Sequence, residues 1–233
     1  MRVYGRNIAK EIVNNNVKVQ KAYIGESFKD EYVISYLQKQ KVDIKYLTKN
    51  ELLPFEKENH QGIILTIPDF EFSEIDEMLN AREKPFLVIL DHLNDTHNFG
   101  AIIRTCEAAG VDGIIIPKNR SVDINETVMK TSSGALLNMK IAKVNNLNQT
   151  IESLKEQGFW FVGTDMDGKQ AYDEQEYDMK LALIIGSEGF GMGKSIKEAC
   201  DFLVSIPMAG KINSLNASVA AGIVIYQVIS KRK

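Results

Sequence analysis

Three stretches of the chain carry residues whose types and spacing could do chemistry. The first is Asp91-His92-Leu93-Asn94-Asp95-Thr96-His97-Asn98-Phe99-Gly100, running on to Arg104. The second is Gly186-Ser187-Glu188-Gly189-Phe190-Gly191-Met192-Gly193-Lys194-Ser195. The third is Ile206-Pro207-Met208-Ala209-Gly210-Lys211-Ile212-Asn213-Ser214-Leu215-Asn216-Ala217-Ser218. Together they offer Asn98 and Arg104, then Glu188, then Ser214 and Asn216. Familiar chemistries fit none of them. A phosphate loop needs glycine where Glu188 stands, and a carboxylate there repels phosphate. The dinucleotide fingerprint fails because Lys194 occupies its third glycine position. No nucleophilic triad order and no paired-carboxylate pattern is present. Cys106 and Cys200 form no CxxC, and His60, His92 and His97 show no metal spacing with them, so no metal site is expected. The glycines around Glu188 can bring backbone close to a flat, uncharged part of a ligand, leaving Glu188 to pair with an arginine.

These residues need elements to position them. Apolar residues Phe99, Ile102, Ile103 and Cys106 predict a helix over 99–109, stopped by Gly110. Asn98 is the expected N-cap, and Arg104 flanks the apolar stripe. A long apolar helix is predicted from Ser214 to about residue 229, capped by Asn213 or Ser214. Continuous apolar runs at 86–90, 113–116, 181–186 and 202–206 read as strands buried on both faces. With strands at 139–144 and 159–164 and helices at 126–131, 147–157 and 194–199, the alternation indicates α/β architecture with a parallel sheet. Ligands of such sheets sit beyond the strand C-termini, where all three stretches fall.

Upstream, helices at 7–14, 28–38 and 48–52 alternate with strands at 17–24, 42–47 and 62–67, a small α/β unit. The acidic, polar segment before Pro85 reads as a boundary. The expected domains are 1–70, a linker at 71–84, and 85–233.

Composition narrows the class. The 233 residues are 44% hydrophobic and 25% charged, ordinary for a soluble globular protein, and no apolar run is long enough to span a membrane. The N-terminus lacks a signal-peptide core, and two distant cysteines suit a reducing cytosol, so a cytoplasmic protein is expected. Net charge is −3 but uneven. Residues 1–50 carry 10 Lys and Arg against 5 Asp and Glu, a net +5; the remainder is −8. Such a front end is compatible with contact to phosphate or with an ordinary solvated surface.

Asn98-Phe99-Gly100-Ala101-Ile102-Ile103-Arg104-Thr105, Ile184-Ile185-Gly186-Ser187-Glu188-Gly189, and Ile206-Pro207-Met208 through Ser214-Leu215-Asn216-Ala217-Ser218-Val219-Ala220 resemble the three motifs of the SpoU (TrmH) family of RNA ribose 2′-O-methyltransferases. Val3-Tyr4-Gly5-Arg6-Asn7 and His60-Gln61-Gly62-Ile63 resemble that family's small substrate-binding domain. The resemblance implies a trefoil-knotted C-terminal domain and S-adenosylmethionine as cofactor, its adenine near Gly186, Ile206 and Leu215, with Thr164 on the neighbouring strand. It implies a homodimer, with Leu215, Val219, Gly222, Ile223, Tyr226 and Ile229 in core or dimer contact. It places Arg104 at the ribose 2′-OH, held by Glu188, with Asn98, Ser214 and Asn216 positioning the nucleotide and the supporting loops. The expected substrate is a guanosine of 23S ribosomal RNA, with tRNA as the alternative. Two other readings remain open here: a non-catalytic RNA- or ribosome-binding protein, and a nucleotide-dependent oxidoreductase or ATPase using the 189–195 loop.

Overall fold

The computed structural model describes residues 1–232, which divide into two compact units: 1–71 with 124–138, and 72–123 with 139 onward.

The first unit contains strand β1 (Arg2–Tyr4), helix α1 (Arg6–Asn14), β2 (Lys21–Gly25), α2 (Glu31–Lys39), β3 (Asp43–Leu47), α3 (Lys49–Leu52) and β4 (Ile63–Thr66). Its sheet runs β1-β4-β2-β3, with β2 and β3 parallel and the other pairs antiparallel. Helix α1 buries Ile8, Ala9, Ile12 and Val13, one helical face against the sheet. Asp30 caps α2, and Thr48 with Glu51 forms a capping box on α3. The strand expected at 17–24 starts only at Lys21. The preceding residues close off α1: Asn16 is left-handed, and the Val17 N–H donates to the Ile12 carbonyl.

The second unit holds α4 (Asp76–Leu79), β5 (Phe86–Asp91), α5 (Thr96–Ala108) and β6 (Gly113–Pro117). Helix α6 (Glu126–Thr131) follows in the chain but packs with the first unit. The second unit resumes with β7 (Ile141–Val144), α7 (Leu147–Glu156), β8 (Trp160–Thr164), β9 (Gln170–Ala171), β10 (Leu181–Gly186), α8 (Lys194–Ala199), β11 (Phe202–Ser205) and α9 (Ala217–Lys231). The seven strands lie in the order β7-β6-β5-β10-β8-β11-β9, and every pair is parallel. Five of the six residues of β10 and all six of β5 are buried, as continuous apolar runs require. Leu87, Ile89, Ala182 and Ile184 share one core with Phe161, Met192 and Ile196.

Two boundaries depart from the sequence reading. The 124–138 segment belongs with residues 1–71, interrupting the expected 85–233 domain. The expected linker carries α4, whose Met78 is fully buried in the second unit's core, against Gly113. Its sequence is largely polar because Met78, with Ile75 and Leu79 packed partly buried beside it, is enough to anchor a four-residue helix.

Helix α9 begins at Ala217 and buries Ala221, Val224, Ile225 and Val228. The stripe singled out from sequence faces elsewhere: Val219 is 50% exposed and Tyr226 53%, with Leu215, Gly222, Ile223 and Ile229 half-buried. The core reading of that stripe gives way for Val219 and Tyr226, because a helix apolar all round has two faces to cover and α5, with β10, takes the other.

Met78→Ala should destabilise the second unit by about 2–5 kcal/mol, the usual cost of a cavity at a fully buried Met. Urea unfolding followed by Trp160 fluorescence checks this; an unshifted midpoint would return residues 72–84 to the status of a linker.

Candidate active site at the strand ends

The three stretches emerge at one edge of the seven-stranded sheet. Gly186 at the end of β10 is in register with Asp91 at the end of β5, and Thr164 of β8 is in register with Val204 of β11. Asp91 is a fully buried carboxylate. It is kept there by two donors: its Oδ2 accepts from the Gly193 N–H at 2.7 Å, and its Oδ1 meets His92 Nδ1. A carboxylate out of water needs such partners. This pair ties the end of β5 to the start of α8. Neither residue was singled out from sequence, because a strand-terminal Asp looks like any loop polar residue until its burial is known.

The second stretch forms a closed loop. Ser187 and Gly191 exchange both backbone hydrogen bonds, at 3.0 and 2.9 Å. Gly189 and Gly191 take left-handed φ values of 82° and 66°, which glycine adopts without a Cβ clash. Gly186 sits against the returning chain: a Cβ there would lie 2.3 Å from the Gly191 carbonyl carbon. The bare glycine therefore serves the loop's own closure first.

That loop presents Glu188, on which the site converges. Its Oε1 accepts from Asn98 Nδ2 at 3.1 Å, Asn216 Nδ2 at 2.7 Å and the Ala217 N–H at 3.1 Å. Asn216 Nδ2 also donates to Asn98 Oδ1 at 2.9 Å. One carboxylate oxygen thus joins all three stretches. Charge-assisted bonds of this kind are stronger than neutral ones. The donor from Ala217 is an N-terminal helix amide, where negative charge is favoured.

The caps differ from expectation. Asp95, not Asn98, caps α5, its Oδ1 accepting from the Asn98 N–H at 2.7 Å. This frees the Asn98 side chain for Glu188. An Asp one residue before a helix start was a readable signal. Asn216, rather than Asn213 or Ser214, caps α9: its Oδ1 accepts from Ser218 N, Ser218 Oγ and Val219 N. Asn216 therefore uses its oxygen on the helix and its amide nitrogen on the site.

Arg104 lies on α5 and is exposed. Glu188 Oε1 is taken by the two asparagines and Ala217. Six residues separate Asn98 and Arg104, which turns the helix by about 600° and sets their side chains some 120° apart. Ser214 lies exposed in the segment before α9 and does not join the cluster. Thr164, Gly186, Ile206 and Leu215 are half-buried. Thr164 Oγ1 donates to the Ile184 carbonyl at 3.3 Å, tying β8 to β10.

The thiols take no part as nucleophiles. Burial raises the Cys106 thiol far above its usual range and pushes Cys200 up to about 12, so both stay protonated at neutral pH. No group of three His, Cys, Asp or Glu side chains suited to a metal ion occurs among the described residues.

Residues 85–226 match the SpoU rRNA Methylase family. The chain belongs to that family. Residues 2–73 match the domain described as RNA 2′-O ribose methyltransferase substrate binding. Among this SpoU-family chain's relatives is YacO of Bacillus subtilis, which carries the name of a TrmH family tRNA/rRNA methyltransferase; it is 42% identical over 99% of this chain and 95% of its own length. The corresponding protein of Staphylococcus haemolyticus is 40% identical with the same coverage. The crystal structure of the SpoU methyltransferase AviRb from Streptomyces viridochromogenes, in complex with AdoMet, shares the fold: the TM-score is 0.85 at 22% identity, covering 99% of this chain and 90% of that one. The TrmH/SpoU tRNA modifying enzyme of A. aeolicus is 34% identical with a TM-score of 0.58, covering 66% of this chain and 79% of its own. The chain is thus an RNA methyltransferase of SpoU type with a parallel-sheet catalytic unit.

Asn216→Ala and Asn216→Asp separate the residue's two jobs. Alanine removes the cap and should cost about 1 kcal/mol of stability. Aspartate keeps the capping oxygen but sets a second carboxylate against Glu188. Both should lower methyl transfer, while thermal melting should show the cap-related loss chiefly in the alanine variant. Full activity in the aspartate variant would show that the amide contacts to Glu188 and Asn98 are dispensable.

Proposed function

We propose that this protein transfers the methyl group of S-adenosylmethionine to a ribose 2′-OH of structured RNA, most readily a guanosine of 23S ribosomal RNA. The observation that carries the reading is the Glu188 junction, which gathers the three family motifs at one edge of a parallel sheet.

The residues suit the cofactor. Thr164, Gly186 and Ile206 stand at or just beyond the ends of neighbouring strands β8, β10 and β11. Ile206 and Leu215 are half-buried residues of the segment between β11 and α9. Half-buried amides and carbonyls want partners, and the edge of an adenine supplies both kinds. These four residues would hold the cofactor, which when bound supplies an electrophilic sulfonium methyl.

The chain's own work is alignment and proton handling. A ribose hydroxyl is a weak nucleophile, so it must be held in line and relieved of its proton. Arg104, exposed on α5, is the residue we assign to the 2′-OH and its neighbouring phosphate. A guanidinium stays charged in proteins, so orienting the hydroxyl is the role its chemistry favours over that of base. Asn98 and Asn216, fixed by Glu188, hold the loops, and Ser214 stands in the exposed segment where a nucleotide can reach it.

The same reading includes a cytoplasmic homodimer and a knotted C-terminal segment. Val219 and Tyr226 lie seven residues apart on one face of α9, and that face is not used by the core. No helix among the described residues is long and apolar enough to cross a membrane. A tRNA target is the second reading, favoured by the shared tRNA/rRNA name of the relatives and by the A. aeolicus enzyme.

Arg104→Ala should reduce methyl transfer by about a hundredfold or more, the order expected when a reacting hydroxyl loses its alignment, while cofactor binding by calorimetry stays near wild type. Near-normal turnover in that variant would remove Arg104 from the reacting centre.

A further inference from the structure

A second polar recess lies in the first unit, on residues outside all three motifs. It is an open depression lined by Arg6, Asn7, Ser27, His60, Gln61 and Gly62, with no carboxylate among them. Its hydrogen-bonding sense is set by internal contacts. The Gln61 Oε1 accepts from the Arg6 backbone N–H at 2.9 Å, which fixes the side-chain amide so that its NH₂ is the free end. The His60 Nδ1 accepts from the Gly62 N–H at 3.0 Å, which fixes the neutral tautomer with its proton on Nε2. Both side chains therefore spend an acceptor inward and keep donors.

Arg6 adds the charge. Its guanidinium carbon stands 5.7 Å from the centroid of Phe28, and no carboxylate pairs with it among the described residues. A cation stacked on an aromatic ring keeps its N–H edge available. The loop that carries His60 and Gln61 is held in an uncommon shape: Asn59, Gln61 and Gly62 have φ values of 49°, 51° and 84°. Non-glycine residues in that region cost energy and gather where the fold over-determines them. Gly62 also closes the wall, since a Cβ there would lie 3.2 Å from both Phe28 Cβ and Ser27 Oγ.

A recess with one guanidinium, an amide NH₂, an imidazole N–H and a hydroxyl, and no carboxylate among the described residues that line it, is built for an anionic acceptor. We propose that it holds a backbone phosphate of the substrate RNA, with Arg6 as the charge and His60 and Gln61 as directional donors. The proposal rests on the RNA-methyltransferase reading and adds to it the contact by which the first unit grips its substrate. Phosphate contacts give position and affinity without reading sequence. Asn7 lines the same recess, where an adjacent ribose or base edge would meet it.

The test measures binding of radiolabelled, deproteinised Bacillus subtilis 23S ribosomal RNA by the full chain across a salt series. Arg6→Gln and the double variant His60→Ala, Gln61→Leu are compared with wild type, and melting temperatures and S-adenosylmethionine affinity are measured for each. Loss of one phosphate contact should weaken RNA binding about fivefold to tenfold and flatten the dependence of log K on log salt by about one for Arg6→Gln. The KM for RNA should rise while cofactor affinity holds. The neutral double variant should weaken binding with a smaller change in salt slope. Wild-type affinity and salt slope in both variants would overturn the phosphate site while leaving the enzyme's reaction intact. A wild-type protein that transfers no methyl to any RNA would overturn the functional reading and this inference with it.

Discussion

The site depends on one carboxylate oxygen. Glu188 Oε1 takes three N–H donors, from Asn98, Asn216 and Ala217, and each comes from a different place in the chain than Glu188 itself. The sequence separations are 90, 28 and 29 residues. Without this junction the three loops would share only a sheet edge. With it, the start of α9, the start of α5 and the loop after β10 move as one body. The arrangement is economical because Asn216 divides its two ends, capping α9 with oxygen and reaching Glu188 with nitrogen. Asn98 is released for the same purpose because Asp95 does the capping of α5.

This junction needs a platform that does not yield. The parallel sheet supplies it through β5 and β10, whose apolar runs are covered on both faces. Burying each large aliphatic side chain is worth roughly 1.5–3 kcal/mol. The platform also tolerates one buried charge, Asp91, because Gly193 and His92 satisfy it. That pair sets where α8 begins, and so fixes the far end of the Glu188 loop.

Much of this was legible in the residues. Continuous apolar runs identified the central strands, and the glycines around Glu188 failed the phosphate-loop and dinucleotide patterns for a stated reason. The motifs, by resemblance, pointed to an RNA methyltransferase, and the family match agrees. What sequence could not supply was pairing. Glu188 beside an arginine is the simple electrostatic expectation; that the Asn98 and Asn216 amides and the Ala217 N–H converge on its Oε1 depends on long-range geometry that spacing does not carry. Capping was misplaced by two or three residues at both helices, since Asn, Ser and Asp all serve as caps and only the backbone chooses. The placement of 124–138 with the first unit leaves no trace in composition, because long-range packing is not a local property.

The central claim is that these loops serve methyl transfer to a ribose oxygen. Incubation of the purified protein and 23S ribosomal RNA with S-adenosylmethionine bearing a CD₃ group, followed by nuclease digestion and mass spectrometry of the nucleosides, tests it most directly. The account predicts a trideuteromethyl group on ribose, at one position, lost in a Glu188→Ala variant that still folds. Label found on a base, or the ribose label retained when Glu188 is removed, would contradict it.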